Sequence, residues 1–167
     1  MLFLFFCCHA ETDTGVLPQP EIIELQQWQP VDPQQDPLPQ HQPQEINCQL
    51  TAFTLEEGNL EIRTGDCNYI SVDFTIIQDV PADTPIRSVI FHEDLWAPEP
   101  AQAHIAWVFP SGIFWEQEMA IPSTSNFHIY ETELPAALKQ GDRIHLHLHN
   151  HGMNTWNIIA LNRLDVD

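Results

Sequence analysis

Four imidazoles fall within seven positions, at His145, His147, His149 and His151, in a chain that holds nine histidines. Between the first three stand Ile144, Leu146 and Leu148, so apolar and imidazole side chains alternate with a period of two. That is the pattern of a β-strand with leucines on one face and imidazoles on the other. Neutral imidazole is the commonest protein ligand for metals. Alternate residues on a strand lie roughly 6.5–7 Å apart with parallel side chains, so two such rings can converge on one ion. A third donor must then come from a neighbouring strand or loop. His92, His104, His128 and Met153 have the right chemistry, as do Glu93, Asp94, Glu116 and Glu118. Spacing does not choose among them. An imidazole-rich donor set suits copper or zinc, and Met153 as a ligand would favour copper(I). The competing reading is that these histidines are a near-neutral solvated strand face in an acidic protein.

Other chemistry is sparse. Glu116 and Glu118 flank Gln117 after Trp115, and a carboxylate pair beside a tryptophan brings glycoside hydrolysis to mind. A solvated strand edge explains the same pattern. No GxSxG elbow, phosphate-binding glycine loop or HExxH helix is present, so no catalytic residue is assigned. Trp96 and Trp115 are the side chains that a metal-free binding module would present to a glycan or a protein partner.

The elements that must position these groups read as short strands. Turn signals recur from residue 47 onward, and they delimit about nine segments: 47–54, 60–63, 67–77, 86–92, 104–109, 113–119, 126–133, 143–149 and 155–164. Glu56-Glu57-Gly58-Asn59 and Pro110-Ser111-Gly112 are hairpin turns. Within 67–77, Ile70, Val72, Phe74 and Ile76 form the core face, and Tyr69, Ser71, Asp73 and Thr75 the other. Only 134–140 suggests a helical turn. Regularly spaced strands separated by turn chemistry predict an all-β fold. The expected architecture is an antiparallel two-sheet β-sandwich of jelly-roll type, with a β-barrel as the alternative. The last two strands are expected to pair as a hairpin through His151-Gly152-Met153, with Leu148 opposite Trp156 and Ile144 opposite Ala160.

The first 46 residues differ from the rest. Leu2 to Phe6 are large and apolar and lead into Cys7 and Cys8. This reads as the remnant of an export signal, far short of the roughly 20 residues that a membrane span needs. An apolar run ending at cysteine resembles the lipobox of bacterial lipoproteins, which implies lipidation at Cys7 or Cys8. Residues 10–46 carry seven prolines among many glutamines and few aliphatic residues. They read as a disordered Pro/Gln-rich tether, leaving 47–167 as the folded domain. Trp28, alone in that tether, has no assigned role.

Cys48 and Cys67 remain. In an exported chain such a pair reads as a disulfide, and closing a loop of this length stabilises the fold by roughly 3 kcal/mol. With 24 acidic residues against five basic ones, the formal net charge is −19. That charge repels phosphate backbones and anionic lipid surfaces. Nucleic acid is therefore excluded as a partner, and contact with a membrane is expected only through a lipid anchor. The sequence thus points to an extracytoplasmic protein of the periplasm or outer surface. It carries either a histidine-based copper or zinc site or a metal-free site for an envelope glycan or protein.

Overall fold

The computed structural model describes residues 20–164. The suggested export signal, with Cys7 and Cys8, lies outside the described residues. Ten strands form two antiparallel five-stranded sheets. They are β1 (Gln29–Pro30), β2 (Phe53–Glu56), β3 (Asn59–Arg63), β4 (Tyr69–Thr75), β5 (Pro85–His92), β6 (Ala101–Phe109), β7 (Gly112–Ile121), β8 (Asn126–Glu133), β9 (Arg143–Asn150) and β10 (Thr155–Arg163). Sheet I has the order β1-β4-β9-β6-β7, and sheet II the order β2-β3-β10-β5-β8. The sheets remain separate, so the fold is the expected sandwich and not a barrel.

Period-two alternation builds the core. Ile70, Val72 and Phe74 on β4 stand opposite Leu148, Leu146 and Ile144 on β9, and Ile105 and Trp107 on β6 continue the layer. Sheet II contributes Leu60, Ile62, Ile86, Ile90, Trp156 and Ile158. All of these are buried. The Trp107 indole N–H crosses between the sheets and donates to the Ser88 hydroxyl at 2.8 Å, so its one polar atom is satisfied inside the core. The two expected hairpins form. Glu56 pairs with Asn59 around Glu57 and Gly58, both at positive φ, as a tight two-residue connection requires. Phe109 pairs with Gly112.

Three expectations are corrected. First, β9 and β10 are not a hairpin. β9 lies between β4 and β6 in sheet I, whereas β10 lies between β3 and β5 in sheet II. Leu148 and Trp156 share the interior because they face each other from opposite sheets. Alternation fixes which way a side chain points, but it does not say which strand lies beside it. A bulge after Ile158 then brings Leu161 inward and shifts the register at Ala160. Second, 134–140 is not a helical turn; Leu138 bridges Val80 as extended chain.

Third, residues 20–46 are part of the fold and not a free tether. Ile22, Ile23 and Leu25 are buried in the main core. The chain here joins both sheets: the Ile22 N–H donates to Leu161 O, and the Ile77 N–H to Ile22 O. Trp28 packs against Phe53 with ring centroids 5.0 Å apart. β1 then adds to the edge of β4. Residues 33–42 cross over the outer face of sheet I as a strap of two short 3-10 turns, Pro33–Gln35 and Pro39–His41. Few aliphatic residues are enough here because each one meets an existing apolar surface. Prolines lower the entropy that ordering must overcome. The strap leads on to the Cys48–Cys67 disulfide, which forms as expected.

Candidate functional site

The outer face of sheet I is a layer of titratable groups. Cross-strand register sets Tyr69, His149 and His104 in one row and Ser71, His147 and Ala106 in the next. Asp73, His145 and Val108 form a third row. On the edge strand β7, Glu118 lies beside His104 and Glu116 beside Ala106. The strap adds Asp36, Leu38 and His41. Leu38 is buried over Ala106 and Val108 as a small apolar cluster of its own.

Asp36 fastens the strap. It is only 5% exposed. Its Oδ2 accepts from the Tyr69 hydroxyl at 2.7 Å and from His147 Nδ1 at 2.8 Å. Gln42 Nε2 donates to the same oxygen at 3.3 Å, and the Leu38 N–H donates to Oδ1 at 3.1 Å. Burial pushes the carboxyl up, but the hydrogen bonds from His147 and Tyr69 outweigh it and hold Asp36 well below the usual carboxylate range. Burial and the adjacent Asp36 raise the Tyr69 phenol.

The four β9-region histidines take separate partners. His145 Nδ1 lies 2.5 Å from Asp73 Oδ1, a contact not aligned as a hydrogen bond. Arg143 reaches the other carboxylate oxygen of Asp73 at 2.8 Å. His147 is fully buried on Asp36. His149 and His151 have ring centroids 4.6 Å apart. Burial and the neighbouring His151 push the His149 imidazole down to about 4.

The donors that come together are a different set, His41, His104 and Glu116. One ligand-type atom from each lies within 4.8 Å of the others. His41 stacks on His104 with centroids 3.7 Å apart and planes 8° apart, and His104 Nε2 lies 3.3 Å from Glu116 Oε2. Burial lowers His104, while the bond to Glu116 pulls the other way.

The remaining sequence candidates lie elsewhere. His92 and His128 belong to sheet II, 5.1 Å apart, and both pack on Trp156. Met153 is 71% exposed in the β9–β10 connection. Trp115 is half-buried between His128 and Tyr130. Trp96 is 53% exposed. Its carbonyl fits so closely over Gly152 that a Cβ there would lie 2.0 Å from the oxygen.

Beside the layer runs a groove of about 960 Å³. Its walls are the strap at Gln40–Gln42, the segment Ala97–His104, the β7 residues Glu118, Ala120 and Ile121, and His149, His151 and Gly152. A smaller cavity of about 460 Å³ lies on the Leu95–Trp96 side, against Pro122–Thr124. Trp96 lines the smaller cavity, while its neighbour Ala97 lines the groove.

Sequence reasoning missed Asp36, His41 and Tyr69 as members of this layer. The usable signal was Asp-Pro, which occurs at 32–33 and again at 36–37. Asp-Pro starts turns, and here each aspartate accepts the N–H two residues on, Gln34 and Leu38.

The sequence matches no protein-family model and no curated protein. Among solved structures, it is similar to a CBM4 structure at 5% identity, over 72% of this chain and 77% of the other, with a TM-score of 0.42. A family 16 carbohydrate binding module gives 6% identity over 72% and 85%, with a TM-score of 0.42. An arabinose-bound α-L-arabinofuranosidase gives 9% over 87% of this chain and 25% of that one, with a TM-score of 0.46. Likenesses at this identity assign no role to any residue here.

Proposed function

We propose that this chain is an exported binding module that holds a glycan in the groove beside the strap. The groove itself carries the reading. It is large enough for several sugar rings, and within the described residues its polar lining is of the sugar-binding type. Gln40 and Gln102 offer paired amide donors and acceptors, Glu99 and Glu118 offer carboxylates, and four imidazoles add further polar contacts. Side chains of this kind form two bonds at once to neighbouring hydroxyls. Trp96, which lines the smaller cavity next to the groove, supplies an exposed flat apolar face of the sort on which a sugar ring stacks. The Cys48–Cys67 disulfide fits an oxidising compartment, where envelope and extracellular glycans are found. No bound metal is needed for this activity.

The test is a glycan array probed with the full chain, followed by calorimetry on the strongest class. Glu99→Ala with Gln102→Ala, and separately Trp96→Ala, are expected to weaken binding by tenfold or more, since one buried polar or stacking contact contributes roughly 1–3 kcal/mol. An array with no retained glycan, or retention unchanged in both variants, overturns the reading.

A further inference from the structure

The groove beside the strap carries charge of one sign. Glu118 on β7 and Glu99 in the Ala97–His104 segment line two of its walls, and both are exposed. Among the described residues no lysine or arginine lines it. The chain's five basic side chains lie elsewhere. Arg63 is paired with Asp66, Arg87 with Glu131, Lys139 with Asp79 and Arg143 with Asp73, and Arg163 belongs to sheet II.

Two of the imidazoles in the lining do not offset these carboxylates. Burial and the neighbouring His151 push His149 down to about 4, and burial lowers His104, so both rings are uncharged at neutral pH. His41 Nδ1 lies 3.9 Å from Glu118 Oε1, beyond hydrogen-bond reach, which leaves that oxygen open to a ligand. The formal charge of −19 acts in the same direction, and a cleft lined by one sign of charge focuses the field. Uronic acids and sulfated sugars are repelled by such a groove. A neutral sugar gains nothing from the field, whereas an ammonium group is drawn in.

We propose that the glycan held here is an amino-sugar polymer with free ammonium groups, of the polyglucosamine kind, and that Glu99 and Glu118 each receive one ammonium. This rests on the glycan reading of the groove and narrows it to one chemical class. Two carboxylates on separate walls suit a repeating cation better than a single amine. Glu118 stands opposite His104 in the strand register, and Glu99 precedes His104 by five residues, a reach of up to roughly 17 Å. Gln102 lies between them in the chain and offers its amide to ring hydroxyls. An ammonium donates three hydrogen bonds, and charge-assisted bonds to a carboxylate are stronger than neutral ones. N-acetylation of the same ring removes the charge and keeps the hydroxyls, so the two forms isolate the effect.

The full chain, with its disulfide intact, is titrated by calorimetry with oligomers of matched length: glucosamine, N-acetylglucosamine, glucose and galacturonic acid. A weakly acidic buffer protonates the sugar amines. The glucosamine oligomer should bind roughly 5- to 25-fold more tightly than its acetylated form, because each exposed ion pair contributes little and two act together. High salt should bring that ratio toward one. Glu99→Gln and Glu118→Gln keep the side-chain size and a hydrogen-bonding oxygen. Each should cut the ratio about 2- to 5-fold, and the double variant should leave it close to one. Glu133→Gln, an equal change of charge on sheet II, should not alter it. The proposal is overturned if the acetylated, neutral or acidic oligomer binds as tightly as the glucosamine one, or if the ratio survives in the double variant. It is also overturned if an oligolysine of equal charge binds as tightly, since bulk attraction then suffices. Binding of the neutral or acidic oligomers alone would sink this assignment and leave the glycan reading standing, whereas binding of no oligomer and no array glycan would sink both.

Discussion

The two outer faces of the sandwich are treated in opposite ways. On sheet I the face is polar, with imidazoles, carboxylates, a phenol and a serine, and yet it is roofed by the strap. Ser71, His104 and His147 are each less than 5% exposed. On sheet II the face is open, and its edge strand β8 shows Phe127 at 55% and Ile129 at 60% exposure. Hydrophobicity therefore does not decide which face is covered. Exposed apolar residues are common and inexpensive, whereas a polar layer withdrawn from water must be satisfied partner by partner. The roof on sheet I is thus held by directional bonds centred on Asp36.

Removing that centre should have the largest effect. Asp36→Ala deletes the acceptor of Tyr69, His147 and Gln42 together and leaves a buried imidazole without its partner. Breaking a buried charged network from one side costs roughly 3–5 kcal/mol. Urea unfolding should show that loss, and hydrogen exchange should show residues 33–42 opening while β5 and β10 stay protected. Equal loss of protection in both sheets would mean that the strap and the sandwich are one cooperative unit, and the contrast between the faces would fail.

Leu38→Ala tests the apolar part of the same roof. Leu38 is 4% exposed and meets only Ala106 and Val108 within its cluster. The expected cost lies at the low end of the Leu→Ala range, roughly 2–3 kcal/mol. A chemical denaturation midpoint that does not move would show that the strap is held by polar contacts alone.

The sandwich could be read from the sequence because alternation is a local property. Ile70, Val72 and Phe74, and likewise Ile144, Leu146 and Leu148, announce their buried face within a few residues. Pairing is not local. Nothing in 143–164 reveals that β9 and β10 enter different sheets, because both arrangements bury the same leucines. The site was half legible for the same reason. Its histidines on β9 stand out by spacing, whereas His104 on β6 is one of several candidates that spacing does not distinguish. Asp36 and His41 lie in a stretch whose composition resembles a linker, and they become meaningful only once it is folded over the sheet. Compositional rules average over a segment, and they miss three or four aliphatic residues that each find a waiting surface.

Acid should separate the buried histidines of both sheets from Asp36 under the strap by the pH at which each loses stability. His128, in sheet II, is lowered by burial and by the neighbouring His92. An unfolded histidine takes its proton near pH 6.5, before the folded one does. Stability is therefore full above about 6.5 and declines as pH falls below it. Asp36 is depressed, so its contribution is full above the ordinary carboxylate value of 3.8 and fades as pH drops below that. Denaturation profiles from pH 8 to pH 2 should show both phases. His128→Leu should shrink the first phase without abolishing it, because His104 and His149 shift in the same direction. Asp36→Asn should flatten the second. A single phase unaffected by either substitution would rule out this assignment.

The smallest effect belongs to the open face. Ile129 projects from edge strand β8, 60% exposed, while the interior of sheet II is filled by Ile86, Ile90, Trp156 and Ile158 without it. Ile129→Thr keeps the β-branch that suits a strand and removes apolar surface that is already in water. Its effect on stability should stay within roughly 0.5 kcal/mol, a small fraction of the Asp36→Ala loss, by the same urea measurement. A cost of 2 kcal/mol or more would show that Ile129 is covered in solution. The open face would then be closed by something other than this chain's described residues, and the two faces would no longer differ in kind.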